Sequence, residues 1–403
     1  MYMKNLGIPF FIVLLIFSCQ NINSQNDNEQ KKDSLAQKAD KIIVGAERLD
    51  EYLPLIWGEK VALVANQSSL VGEIHLLDIL VEKKINVVKV FAPEHGFRGN
   101  ADRGASIDNE VDKKTGVAIV SLFGKDNKPS AEALADVDVV IFDIQDAGAR
   151  FFTYISTLHK VMEACAENNK RLIVLDRPNP LGDYVDGPVR KQGFESFVGM
   201  HAIPVVHGLT VGELALMING EGWLPKGAQC NLTVVEIQNY THNKVYELPV
   251  KPSPNLPNYL SLRLYPSLCF FEATEISIGR GTEFPFQVIG YPDKKFGNFT
   301  FTPRDIEGMQ TNPEQEGKLC YGIDLRNENK EVKFTLKYII DFYQKSDFKE
   351  TFFKREKWFN LLAGNDVLLQ QIKQGLSEEE IRETWQSDLN GYKEMRKHYL
   401  LYD

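Results

Sequence analysis

What this 403-residue chain lacks excludes several chemistries. Cysteine is scarce. Five residues, widely spaced, cannot make the dense disulfide framework of a small secreted scaffold. A cationic excess is also missing: 46 Lys and Arg stand against 55 Asp and Glu, a net charge of −9. That balance argues against nucleic acid as a partner and against an anionic lipid surface for the folded body. No G-x-G-x-x-G follows the first strand-like run, where the text is Val64-Ala-Asn-Gln-Ser-Ser-Leu-Val-Gly72. No P-loop occurs, and Gly279-Arg280-Gly281 is too short a glycine pattern to hold a nucleotide, so no cofactor is expected. His95 has Glu94 beside it, but H-E-x-x-H and H-x-H spacings are absent and no metal is expected. Internal repeats are absent too. The composition is otherwise ordinary, with 43% hydrophobic residues, enough to bury a core in one large α/β domain or two domains.

What is present begins with the N terminus. Lys4 gives a short positive region, and residues 8–17 (I-P-F-F-I-V-L-L-I-F) form an apolar stretch too short to span a bilayer comfortably. Ile16-Phe17-Ser18-Cys19 resembles a lipobox, although Phe17 stands where a small residue is usual. Two readings stand, acylation of Cys19 and plain signal cleavage. A cysteine directly after an apolar stretch favours acylation. Residues 1–18 are thus expected to be a lipoprotein signal peptide. Residues 19–40, rich in Asn, Gln, Lys and Asp, are expected to be a disordered tether. The expected location is extracytoplasmic and membrane-anchored, in the periplasm or at the outer membrane.

From Lys60 the chain alternates strand-like and helix-like segments. Residues 61–65, 87–91, 117–122, 139–142 and 172–175 are short β-branched apolar runs, as in parallel strands buried on both faces. Tyr154, Leu158, Val161, Met162 and Cys165 recur at helical spacing and predict a helix over 153–168, with Cys165 a buried thiol. Ile74, Leu77, Leu80 and Val81 predict the first crossover helix. A further strand is expected at 203–206. Thr210-x-x-Glu213 then reads as a capping box, which gives Glu213 a structural role. The Pro-rich stretch 249–257 reads as a loop or strap over a site. The expectation is an α/β fold: a Rossmann-like, mainly parallel sheet over 41–285 and a second, smaller α+β C-terminal domain over 286–403, ending in helices near 377–385 and 389–400.

In such sheets ligands bind beyond the carboxyl ends of the strands. Polar groups gather there from distant parts of the chain: Glu94, His95 and Arg98; Asp143, Gln145, Asp146, Arg150 and Tyr154; Asp176, Arg177 and Asn179; and His207. Each has a structural alternative. Asp143 or Asp146 could cap the next helix, and Asp176 with Arg177 could be an ion pair before a turn. As a set, so many charged groups are costly to crowd together without a polar ligand or a full hydrogen-bond network.

These residues carry a family resemblance. Pro93-Glu-His-Gly-Phe-Arg-Gly99, Ser121-Leu-Phe-Gly124, Phe142-Asp-Ile-Gln-Asp146 with Gly148-Ala-Arg-Phe151, Leu175-Asp-Arg-Pro-Asn-Pro180, His207-Gly-Leu-Thr-Val-Gly-Glu213, and Ser277-Ile-Gly-Arg-Gly-Thr282 before Pro285-Phe286 resemble the NamZ-type exo-β-N-acetylmuramidase family. Ala147, Phe152, Ala273 and Glu275 depart from the residues usual there. The resemblance implies a cleft between the two domains and hydrolysis of terminal N-acetylmuramic acid (MurNAc) from peptidoglycan-derived saccharides. It also places Gln145, Tyr154, Asn179 and Thr282 among the substrate-binding residues.

Glycoside hydrolysis needs an acid at the leaving oxygen and a group that stabilises the oxocarbenium-like transition state. Glu94, in a tight loop beside Phe97, suits the acid; its alternative is an ion pair with Arg98. Asp143, Asp146 and Glu272, in falling order, are candidates for the second carboxylate, with the substrate's own acetamido group as another route. His95 and His207 suit hydrogen-bonding roles. MurNAc carries a lactyl carboxylate, which an arginine fork would recognise. Arg280, between two glycines, comes first, ahead of Arg98, Arg150 and Arg177; its alternative is pairing with Glu272, Glu275 or Glu283.

Overall fold

Apolar residues on both sides of a strand require a layer on each face of its sheet, and the structure, a computed structural model, builds both layers. It describes residues 41–93, 97, 110–122 and 127–403. Strand β1 (Lys60–Ala65) shows the principle. Its Val61, Leu63 and Ala65 pack with helices α1 (Leu49–Ile56) and α2 (Leu76–Glu82). Ala62 and Val64 join the opposite core, reached from the far side by α4 (Tyr154–Glu167) and α5 (Val211–Gly220), while the short α3 (Ala131–Leu134) adds Leu134. Each fully buried Val or Leu contributes roughly 1.5–3 kcal/mol, so the alternation fixes the register strongly.

The hairpin β2 (Leu70–Val71) and β3 (Ile74–His75) follows β1, and Ile74 belongs to it rather than to α2. The other strands of the large sheet are β4 (Asn86–Ala92), β5 (Glu110–Val111), β6 (Ala118–Ser121), β7 (Val139–Asp143), β8 (Arg171–Leu175) and β9 (Asn231–Val235). Their order is β5-β6-β4-β1-β7-β8-β9, with β5 antiparallel at the edge. The six parallel strands, counted along the chain, stand as 3-2-1-4-5-6, the Rossmann order.

A further expectation changes. Residues 203–206 are not a strand of the sheet. Pro204 has no N–H to donate, and Val206 makes isolated bridges to Ala149 and Asp186. The sixth parallel strand is β9, half exposed at the sheet's other edge. Other expectations stand. The helix expected over 153–168 is α4, and the capping box is present: the Thr210 hydroxyl accepts from Glu213 N, and the Glu213 carboxylate accepts from Thr210 N.

The smaller unit pairs β10 (Val288–Tyr291) and β11 (Phe299–Phe301) on either side of β12 (Cys320–Asp324) in an antiparallel sheet. Helices α6 (Tyr259–Leu268), α7 (Lys337–Lys345), α8 (Lys349–Phe352) and α9 (Glu356–Ala363) share one aromatic-rich core with it. That core also receives Ala147, Ala149 and Phe151 from the loop after β7, so the carboxyl edge of the large sheet is built into the junction. Helices α10 (Val367–Gln374), α11 (Glu378–Glu383) and α12 (Gln386–Arg396) carry the chain back. Tyr392 donates to the carbonyl of His207, and Tyr402 to the carboxylate of Asp176, which ties the C terminus to the Rossmann unit.

Candidate active site

The reversal of strand order lies between β1 and β7, where an open α/β sheet usually leaves a crevice. Here the chain fills it. The Ser69 hydroxyl donates to the carbonyl of Asp143, and Gln145 N donates to the Ser68 hydroxyl at 3.1 Å. Gln145 Nε2 donates to the carbonyls of Asp146 and Pro178. Asn66, Ser69 and Asp143 have no exposed surface. Two cavities open near it, one of about 440 Å³ lined by Leu70, Gly72, Arg177 and Tyr246, and one at the junction with the smaller unit.

Several residues nominated from sequence have structural partners. Arg177 grips Asp143 bidentately, Nε to Oδ1 at 2.6 Å and Nη2 to Oδ2 at 2.9 Å. The alternative of an Asp176–Arg177 ion pair is not realised, since the Arg177 guanidinium is on Asp143. Asp176 instead accepts from Thr210 Oγ1, Gly212 N and Tyr402 Oη, and burial raises its pKa to about 7. Arg150 is fully buried and donates to the carbonyls of Pro188, Ile203 and Leu362. Burial, with Arg190 nearby, lowers its pKa to about 9. Asn179 closes a turn to Leu181 and donates to the Leu209 carbonyl. Thr282 donates to the Gly279 carbonyl within its own loop.

Asp146 caps no helix. Its Oδ2 accepts from Gly148 N at 2.7 Å and lies 3.4 Å from His207 Nε2. His207 Nδ1 accepts from Leu209 N, which puts the neutral ring's proton on Nε2, facing Asp146. Asp146 and His207 are thus brought together, both buried.

The cavity walled by both units lies at the junction. Of about 320 Å³, it is walled by Phe151, Phe152, Tyr154 and Ser196 from the Rossmann unit and by Tyr265, Glu272, Arg280 and Trp358 from the smaller one. Ser253 and Asn255, from the Pro-rich stretch, line it as well. The Tyr154 hydroxyl donates to the Pro252 carbonyl and holds that stretch in place. Aromatic faces beside a few polar groups suit a sugar, whose ring has apolar faces and a hydroxylated rim.

The cavity's charged pair is Glu272 and Arg280, with Arg280 Nη2 2.5 Å from Glu272 Oε1. Arg280 Nη1 donates to Gln310, its guanidinium lies over the Phe286 ring, and its Nε has no partner among the described residues. Burial alone would lower the Arg280 pKa; Glu272 more than offsets this, and the group stays charged. The neighbouring glycines serve the chain rather than a ligand. Both have φ near +75°, and a Cβ at Gly279 would meet the Phe284 carbonyl at 2.9 Å, one at Gly281 the Arg304 carbonyl at 2.5 Å.

Glu94, His95, Arg98 and Cys19 lie outside the described residues. Among the described residues no group of three or more His, Cys, Asp or Glu could hold a metal ion, and the four cysteines are buried and unbridged. Sequence reasoning did not name Trp358, Tyr265 or Asn255. Asn255, within the Pro-rich strap already suspected of covering a site, was within its reach.

Comparison with known proteins gives consistent matches. The family model described as exo-beta-N-acetylmuramidase NamZ, N-terminal, matches residues 61–260, and its C-terminal counterpart matches 263–402. The peptidoglycan beta-N-acetylmuramidase NamZ of Bacillus subtilis (strain 168) is 35% identical over 425 aligned positions, which cover 99% of this chain and all of that protein. A crystal structure of a DUF1343 family protein from Bacteroides fragilis NCTC 9343 is 46% identical with a TM-score of 0.84, covering 90% of this chain and 99% of that one. A second DUF1343 structure from the same organism is 30% identical with a TM-score of 0.78, covering 90% and 100%.

Proposed function

The chain belongs to the exo-β-N-acetylmuramidase NamZ family, and on that premise we propose that it is an exo-acting glycosidase that releases MurNAc from the non-reducing ends of peptidoglycan fragments. The observation that supports this most is the junction cavity, with aromatic walls and one carboxylate–guanidinium pair, Glu272 with Arg280. In this reading Glu94 protonates the leaving oxygen. Glu272, paired with Arg280, stabilises positive charge developing at the anomeric carbon. Asp146 with His207 is buried beside the loop that supplies Phe151 and Phe152, and it shapes that wall. Arg280 also meets the lactyl carboxylate. The test is incubation of the soluble protein with a MurNAc-GlcNAc disaccharide (GlcNAc, N-acetylglucosamine) and with an aryl MurNAc glycoside. Release of MurNAc from both is expected; binding without release would instead mark a muropeptide-binding protein.

The location is part of the proposal. No described helix is long and apolar enough to cross a membrane. The sequence supports anchoring through acylated Cys19 on a tether that ends near Lys41. Acyl labelling should mark the wild type and spare Cys19→Ser; label retained in that variant would refute the anchor.

A further inference from the structure

Behind the Glu272–Arg280 pair lies a second cavity of about 210 Å³, formed by the smaller unit and lined by Ser277, Gln310, Asn312, Glu314 and Arg355. Glu272, Arg280 and Trp358 belong to the walls of both cavities. We propose that this second cavity is the aglycone subsite, which receives an amino sugar on the far side of the scissile bond, so that cleavage takes place at the Glu272–Arg280 divide. This rests on the glycosidase reading above.

Three observations carry it. The first is adjacency. A glycosidase needs room on both sides of the bond it breaks, with a carboxylate at the boundary, and Glu272 is the acidic side chain shared by the two cavities. The second is chemistry. Six aromatic side chains stand in the walls of the first cavity, whereas the second sets two amides, a hydroxyl and charges of both signs beside Phe271, Ile276, Ile278, Pro313 and Trp358. Arg280 and Arg355 face Glu272 and Glu314 in the lining, with Glu314 2.6 Å from Lys354 and 3.8 Å from Arg355, and these polar groups suit a hydroxyl-rich ligand. The third is a physical link across the divide. The Arg355 guanidinium donates to the Glu272 carbonyl and sits 3.8 Å from Glu314, so the rim of the second cavity is held to the backbone of the shared carboxylate. The Trp358 ring, common to both walls, offers the sugar a face to stack on.

The test uses full-length protein and two positions outside the first cavity. Glu314→Ala removes a carboxylate. Asn312→Gly removes an amide where φ is +48°, a conformation glycine tolerates. Steady-state kinetics would be measured on the MurNAc-GlcNAc disaccharide, on an aryl MurNAc glycoside without a second sugar, and on the disaccharide carrying a stem peptide on its lactyl group. The double variant should raise KM for the disaccharide about tenfold, leave the aryl glycoside within about twofold, and melt at the wild-type temperature. Glu314→Gln, which keeps hydrogen-bonding capacity, should recover most of the loss. Equal losses on the aryl glycoside and the disaccharide, or no loss on either, would overturn the subsite. A loss confined to the peptide-bearing substrate would overturn it too, by assigning the cavity to the peptide. A wild type that cleaves none of the three would bring down the glycosidase reading itself.

Discussion

Arg177 and Asp143 meet as a buried, bidentate ion pair, with Nε 2.6 Å and Nη2 2.9 Å from the two carboxylate oxygens, at the ends of neighbouring parallel strands. Arg177 also donates to the Leu70 carbonyl, so the pair locks the loop after β1 to β7 and β8. Both oxygens of Asp143 are occupied, and it does not line the junction cavity.

The first prediction follows. Asp143→Asn leaves the Arg177 charge buried without its counter-ion and should cost about 3–5 kcal/mol of folding stability. Arg177→Met combined with Asp143→Asn should cost less than the sum of the single changes, because it removes both charges. Urea denaturation of the three variants checks this. A stable Asp143→Asn protein that has lost turnover would instead return Asp143 to the chemistry.

How much of this was legible in the sequence depends on which interactions decided each feature. Strands such as β1 and β7 are apolar on both faces and read directly from their β-branched runs. Strand β9 escaped because it is an edge strand with exposed Asn231 and Thr233. Residues 203–206 imitated a strand, yet Pro204 and the bridges of Val206 make them a connecting segment. At the site, strand ends correctly drew attention to Asp143 and Asp146. That Asp143 is matched by Arg177 depends on β7 and β8 being neighbours, which sequence order alone does not state. Glu272 ranked below both because its setting is created only when the smaller unit closes on the loop after β7.

A second prediction concerns pH. Burial raises the Asp176 carboxyl to about 7, and the nearby Glu213 adds to the rise, while hydrogen bonds from Thr210, Tyr402 and Gly212 oppose it. The native state therefore holds a proton that the unfolded chain releases near pH 4. The sign is that of an acid whose folded pKa is raised: this contribution to stability is full below about pH 4, falls as pH rises towards about 7, and is gone above it. Asp176→Asn, which cannot ionise, should flatten that part of the stability–pH curve and melt higher than wild type at pH 8. Thermal melts from pH 4 to 8 report this, and an unchanged slope in the variant would assign the effect to other groups.

The third prediction separates the carboxylates. If Glu94 is the acid and Glu272 the charge-stabilising partner, Glu94→Gln and Glu272→Gln should each lower kcat by about 10²–10⁴ while the protein stays folded. An aryl glycoside with a good leaving group needs little protonation. It should therefore rescue Glu94→Gln but not Glu272→Gln. Equal rescue of both variants would exchange or dissolve these roles.

The last prediction tests what Arg280 reads. Its Nη2 holds Glu272, its Nη1 reaches Gln310 at 3.3 Å, and its Nε has no partner among the described residues. A lactyl carboxylate would therefore share the guanidinium with Glu272. The two roles leave different kinetic signatures. Reading the lactyl group affects only sugars that carry it and shows mainly in KM. Holding Glu272 affects every substrate and shows in kcat. Arg280→Lys keeps a charge near Glu272 but loses the planar fork, so it should raise KM for MurNAc glycosides about 10- to 100-fold. Any slow cleavage of GlcNAc glycosides should barely change. Arg280→Ala should add a fall in kcat on both sugars, because Glu272 then loses the Arg280 guanidinium. Equal effects of Arg280→Lys on the two sugars would reduce Arg280 to a support for Glu272 and send the search for the lactyl reader to Arg98.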